Sequence, residues 1–192
     1  MSPRLFLVML SVLVCAGCSG MGERIRVIDT VDADYQLPGQ PGHGLVFAST
    51  RFTTDCKAGE EPSVDLVYFS NWYSNTTFGQ LPVTGPADKR DFQDPPGYLI
   101  VREARASGHE FRYIDIGSRS REMKTRTPFT VEEGKAVYLG EIHVIYVNCN
   151  ARPSMTIQVK DEWERDRRLF EKQMTNVRSE DVIKRVLPAN WR

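Results

Sequence analysis

The sequence predicts a mainly β protein: one antiparallel β-sandwich of about seven strands with a C-terminal α-helical tail packed on it. Three observations predict it. Between Gly44 and Lys160, short apolar runs alternate with turn signals rich in Gly, Pro, Asn and Ser. The last of these runs alternates residue by residue, Met155, Ile157 and Val159 against Thr156, Gln158 and Lys160, the period of a half-exposed strand. Beyond Asp161 the apolar residues recur instead at helical spacing.

The strands follow in order. Leu45 to Thr54 is the first, and Val64 to Ser70 the second, bounded by Pro62 and Asn71. Tyr98 to Ala104 follows Pro95-Pro96-Gly97, and Ser107-Gly108 turns it into His109 to Ile116 as a hairpin. Phe129 to Val131 is a short strand before Glu133-Gly134. Lys135 to Val147 is the longest and is apolar on both faces, which marks a central strand. The helical tail begins at Asp161 and Glu164, a capping-box spacing. Trp163, Phe170, Met174 and Val177 form one apolar stripe, and the pairs Asp161–Arg165, Glu164–Arg168 and Arg167–Glu171 line the solvated side. Ser179 is placed to cap a second short helix that turns Val182, Ile183, Val186 and Leu187 inward and ends at Pro188.

The N-terminus has a different character. Arg4 precedes Leu5 to Val14, which is apolar except for Ser11. A spanning helix needs roughly 20 apolar residues, so this run has the length of an export-signal core. Cys15-Ala16-Gly17-Cys18 follows at once. Small residues before a cysteine resemble the lipobox of bacterial lipoproteins, although Cys15 stands where that family usually has Leu. The resemblance implies cleavage after Gly17, acylation of Cys18 and, through Ser19, sorting to the outer membrane. Each buried methylene of an acyl chain contributes about 0.8 kcal/mol, so several chains hold the protein to a bilayer. The organisation expected is therefore a lipoprotein signal peptide at 1–17, a lipidated N-terminus and tether at 18–43, a sandwich at 44–160 and docked helices at 161–192. Pro and Gly between Leu37 and Gly42 read as linker, and the run Arg24 to Ile28 is apolar enough to dock as an edge strand.

Composition narrows the partners. The chain has 25 Lys and Arg against 25 Asp and Glu, and loss of Arg4 with the signal leaves the mature chain at −1. Nothing in that balance calls for nucleic acid. With Cys15 removed and Cys18 acylated, Cys56 and Cys149 remain, natural disulfide partners in an oxidising envelope. Two buried free thiols or a redox site are the alternatives, and Cys56 and Cys149 lack the C-x-x-C spacing that would support the latter.

Gly97 to Arg102, Phe129 to Gly140 (F-T-V-E-E-G-K-A-V-Y-L-G) and Asp161 to Phe170 (D-E-W-E-R-D-R-R-L-F) resemble, in order and spacing, an uncharacterised group of proteobacterial envelope lipoproteins. The resemblance covers residues 44–175 and implies a small sandwich of prealbumin or carboxypeptidase-regulatory type. It implies no catalytic residue.

Candidate chemistry is sparse. His43, His109 and His143 have no metal-ligand spacing, so no metal or cofactor is expected. Glu141 and His143 lie two apart on one strand and share a face, the arrangement that would let a carboxylate tune a general base. Asp29, Asp32 and Asp34 lack the turn Gly and terminal acid of a calcium loop. No G-x-S-x-G elbow occurs. Two stretches are better suited to binding. The long segment Asn71 to Gly97 displays Trp72, Tyr73, Phe78 and Phe92; a connection of that length either functions or hides another strand. Arg119, Arg121, Lys124 and Arg126 fall within eight residues opposed only by Glu122, a basic hairpin tip suited to anionic head groups. The expected function is a non-catalytic interaction or accessory module, tethered to the membrane by its acyl chains and meeting an envelope protein partner. The alternative is an envelope hydrolase acting on peptidoglycan or lipid through Glu141 and His143.

Overall fold

The computed structural model describes residues 31–70, 78–149 and 152–191. In chain order the elements are β1 (His43–Thr54), β2 (Val64–Ser70), β3 (Phe78–Pro82), β4 (Phe92–Gln93), β5 (Pro96–Arg105), β6 (Gly108–Ile116), β7 (Arg119–Thr130), β8 (Ala136–Val147), β9 (Ser154–Lys160), α1 (Trp163–Gln173), β10 (Val182–Lys184) and β11 (Asn190–Trp191). Two sheets form a sandwich. One runs β11-β9-β8-β1-β5-β4, with β10 also beside β8, and the other β3-β2-β6-β7.

Each strand alternates between two surroundings. Val46 and Ala48 of β1, with Val137, Leu139, Ile142 and Val144 of β8, turn toward the second sheet and meet Leu66, Phe111 and Ile114 there. Leu45 and Phe47 turn the other way, where Leu99, Val101, Tyr138, Phe170 and Met174 make a second core under α1. The larger sheet is thus covered on both faces, which explains why β8 is apolar throughout. Phe170 stacks on Phe47 with ring centroids 4.2 Å apart.

Several expectations are corrected. The sandwich has eleven strands among the described residues, and its larger sheet is mixed: β1 and β10 both run parallel to β8. Alternation of apolar residues is the same for parallel and antiparallel neighbours, so strand direction has no local signal. The long connection after Asn71 does hide strands, β3 and β4. The basic tip is no turn. Arg119, Arg121, Lys124 and Arg126 lie on β7, which pairs with β6 along most of its length. An outer strand buries little and shows few apolar residues; here Met123 is the one buried side chain between Arg119 and Arg126.

The tail has one α-helix; where a second short helix was expected there is a single 3-10 turn, Ser179–Asp181, without a side-chain cap, and the chain then turns to strand. Val182–Lys184 forms β10 because β9 covers only the later half of β8, leaving Ala136–Tyr138 an open edge. Arg185 N–H and Leu187 N–H then donate to Tyr138 and Leu139 carbonyls; Leu187 is buried and Val186 exposed. The capping box is also absent: the N-cap is Glu162 without a side-chain cap, and Asp161 accepts from Trp163 N–H and pairs with Lys184. Of the three expected pairs on the helix only Arg167–Glu171 forms as a salt bridge, at 2.9 Å. Arg168 donates to the Glu164 carbonyl, and Arg165 points to the sheet.

The packed part of the chain begins earlier than the linker-like composition implied. Val31 is buried, Tyr35 and Leu37 pack against the helix-side core, and Tyr35 donates to Glu103 at 2.7 Å. Asn176 holds the Asp34 carbonyl at 2.9 Å. Prolines and glycines prevented regular structure in this segment without preventing packing. Cys18, Asp29 and Arg24 to Ile28 lie outside the described residues.

Parallel pairing also explains the disulfide. The register runs from Leu45 opposite Ala136 to Thr54 opposite Tyr146, so both strands end at the same edge of the sheet. Cys56 and Cys149, just past those ends, are bonded with Cα atoms 5.5 Å apart. The free-thiol alternative gives way to a bonded pair.

Candidate functional site

One irregularity in β8 builds a polar cluster. Between Phe47 opposite Tyr138 and Ser49 opposite Glu141, β8 has one residue more than β1. This bulge centres on Gly140, whose φ is +104°. The extra residue reverses the parity of the strand. Before it Ala136 and Tyr138 face the helix; after it Glu141 and His143 do, and they land beside Ser49 and Arg51. A Cβ on Gly140 would stand 2.8 Å from Val159 Cγ1 and 3.0 Å from the Lys160 carbonyl. Gly140→Ala is expected to destabilise by roughly 1–3 kcal/mol from backbone strain, read as a lower urea midpoint. A loss under about 0.5 kcal/mol, the range of ordinary surface changes, would show that the bulge does not need glycine.

Helix α1 completes the cluster. Asp166 sits between Trp163 and Phe170 on the inward stripe and is 0% exposed. It accepts from Ser49 Oγ at 2.6 Å and Tyr138 Oη at 2.7 Å. The neighbouring Arg165 donates to Asp166 at 2.8 Å, to Glu141 at 2.8 Å and to Ser49 Oγ at 2.8 Å. Its guanidinium lies 4.1 Å from the Phe92 ring centroid. Arg51 reaches Glu141 at 3.2 Å and donates to His143 Nδ1 at 3.0 Å, so the imidazole proton is on Nε2, donated to Thr53 Oγ1 at 2.8 Å. Two guanidiniums thus balance two carboxylates, with Glu141 1% exposed.

The electrostatics follow from these neighbours. Burial and the adjacent Asp166 charge hold the Tyr138 hydroxyl well above its ordinary range. Burial works against the Arg165 charge, but the Asp166 and Glu141 carboxylates outweigh it and raise its pKa. Burial, then the Arg51 charge, lowers His143 to about 4, Glu141 offsetting part of this. His143 is therefore neutral in the fold and takes up a proton more readily when unfolded. The unfolded state binds more protons between about pH 4 and pH 6.5, so stability falls as pH drops through that window. His109, also lowered by burial, adds to the slope. His143→Gln is expected to flatten the decline in urea midpoint between pH 6.5 and pH 4; an unchanged slope would remove His143 as its source.

Chemically the cluster is largely self-contained: its charges pair with one another, and only Arg51 Nε and Glu141 Oε1 among its buried polar atoms lack a hydrogen bond. Ser49 has a carboxylate and a guanidinium as partners and no imidazole, and it is fully buried. Glu141 does not hydrogen-bond to His143, because Arg51 stands between them. Both His143 nitrogens are engaged, so the expected carboxylate-tuned base is not assembled here. His109 donates Nε2–H to the Arg105 carbonyl and stacks on Phe129 in the core. Asp55, Cys56 and Cys149 place possible ligand atoms within 4.8 Å of one another, but the two sulfurs are bonded together.

Of the binding candidates, Trp72 and Tyr73 lie outside the described residues, as does the side chain of Phe78, whose backbone opens β3. Phe92 is half-buried beneath Arg165. Arg119, Arg121, Lys124 and Arg126 are exposed on β7. Sequence reading missed Ser49, Arg51, Tyr138, Arg165 and Asp166. The usable signal was Asp166 itself, a carboxylate set in the apolar stripe of a helix, which needs buried partners. No helix among the described residues is long and apolar enough to cross a membrane. Comparison with protein families, curated proteins and solved structures finds no match to any of them.

Proposed function

We propose that the protein is a lipid-anchored accessory module of the bacterial cell envelope that works by binding another envelope component rather than by catalysis. The lipobox-like run ending at Cys18 supports an outer-membrane anchor, with the domain on the periplasmic side. From Val31 onward the chain is docked on the domain.

The observation that carries the binding reading is a contrast between two polar groups. In the buried cluster every charged side chain has a partner. On β7 Arg119, Arg121 and Lys124 are exposed and form no ion pair among the described residues. Charges held ready on the surface serve recognition and encounter. The hydrolase alternative has less support, because Arg51 and Thr53 engage both His143 nitrogens.

Crosslinking of the native protein in intact cells, followed by mass spectrometry, tests the reading. A discrete envelope partner is expected, with capture lost when Cys18→Ser abolishes anchoring. Capture of no envelope component would sink it. Turnover of peptidoglycan or lipid that His143→Ala abolishes without loss of stability would replace it with the hydrolase.

A further inference from the structure

The open edge of β7 adds a partner chemistry to that binding reading, on which this inference rests. β7 is the terminal strand of its sheet and pairs with β6 on one side only. Among the described residues its other side is hydrogen-bonded to no strand, although β11 of the facing sheet comes close to β7, and such an edge is a template for a further strand. Two features shorten the template. Residues 123–126 bulge out of register, and Pro128 supplies no N–H. Arg119–Glu122 remains in regular register with Ile116–Tyr113.

Charge then selects the occupant. Four cations against Glu122 give the strand a net +3. Arg126 is drawn toward Glu110 and Glu122, at 3.7 and 3.5 Å, while Arg119, Arg121 and Lys124 have no such partner among the described residues. A second copy would bring the same positive charge to the same edge and be repelled. A planar anionic membrane would meet the side chains but leave the backbone groups unpaired. It would also have to lie away from the tether, because the chain enters at Val31 on the helix side of the other sheet. An extended acidic segment satisfies both the backbone and the charges.

We infer that β7 receives an extended, acidic polypeptide segment of an envelope partner by strand addition at Arg119–Glu122. The test is amide hydrogen exchange, read by mass spectrometry on the full chain. The probe is a peptide of alternating Glu and Val matched in length to β7. Exchange across residues 119–126 is expected to slow about tenfold or more, equivalent to about 1.4 kcal/mol of protection. The effect should vanish with the same peptide N-methylated at alternate residues, and in Arg119→Glu/Arg121→Glu, whose exchange elsewhere reports that the fold is intact. Equal protection by the N-methylated peptide would overturn strand addition in favour of charge alone. Protection by vesicles of phosphatidylglycerol and phosphatidylcholine, with none from peptide, would overturn it in favour of a membrane. No protection by either would also overturn it. A partner crosslinked in cells through another surface would then leave the binding reading standing and remove only this one.

Discussion

Replacing Asp166 with alanine is expected to destabilise the fold by about 3–5 kcal/mol, the range for removing one partner of a buried charge pair. The carboxylate is 0% exposed and accepts from Ser49, Tyr138 and Arg165 together. Its removal leaves two hydroxyls without their acceptor and two guanidiniums facing Glu141 alone. Alanine restores none of the lost hydrogen bonds. The urea midpoint measures the loss at constant slope. A loss below about 1 kcal/mol, the worth of one ordinary hydrogen bond, would mean that the cluster is not a coupled unit. Asp166→Asn keeps the size of the side chain and separates the charge from the packing.

Breaking the Cys56–Cys149 bridge is the second large effect. The cysteines are 93 residues apart in sequence, and a closed loop of that length restricts the unfolded chain by about 4–5 kcal/mol. For a chain of this size that corresponds to a melting temperature lower by roughly 10–20 °C. Reductant and Cys56→Ser/Cys149→Ser should give the same drop, with local loosening where β1 and β8 end. Identical melting with and without reductant would show that the bridge contributes nothing to stability. Around it Thr54 and Asp55 hold the same corner, Asp55 accepting from Asn148 N–H at 2.9 Å, which confines the loosening to that corner while the unfolded chain gains freedom.

Much of the strand inventory was legible because burial alternates visibly along a strand. Val64–Ser70 was placed to the residue, and β1, β5, β6, β8 and β9 within a residue or two. The apolar stripe Trp163, Phe170, Met174 and Val177 does face the sheet. Misreadings occurred where a segment's structure depends on a distant edge. Val182–Lys184 has the composition of a short helix and became a strand because β8 offered an unpaired stretch. Arg119–Arg126 has the composition of a turn and became a strand because β6 lay beside it. The candidate cluster was half legible. Glu141 and His143 stood out as a pair on one face, but their partners come from β1 and α1, over 90 residues before His143 and 24 residues after Glu141.

Local chemistry alone was enough to place six of the strands (β1, β2, β5, β6, β8 and β9) and the helix. Each of these depends on residue type and short-range period, which a chain carries wherever it folds. The parallel course of β1 and β8, the layer beneath α1 and the meeting of Arg51, Glu141, Arg165 and Asp166 were settled by packing. Alternation says which side of a strand is buried and nothing about its neighbour's direction. A single glycine at 140, by admitting one extra residue into β8, decides which side chains the helix meets.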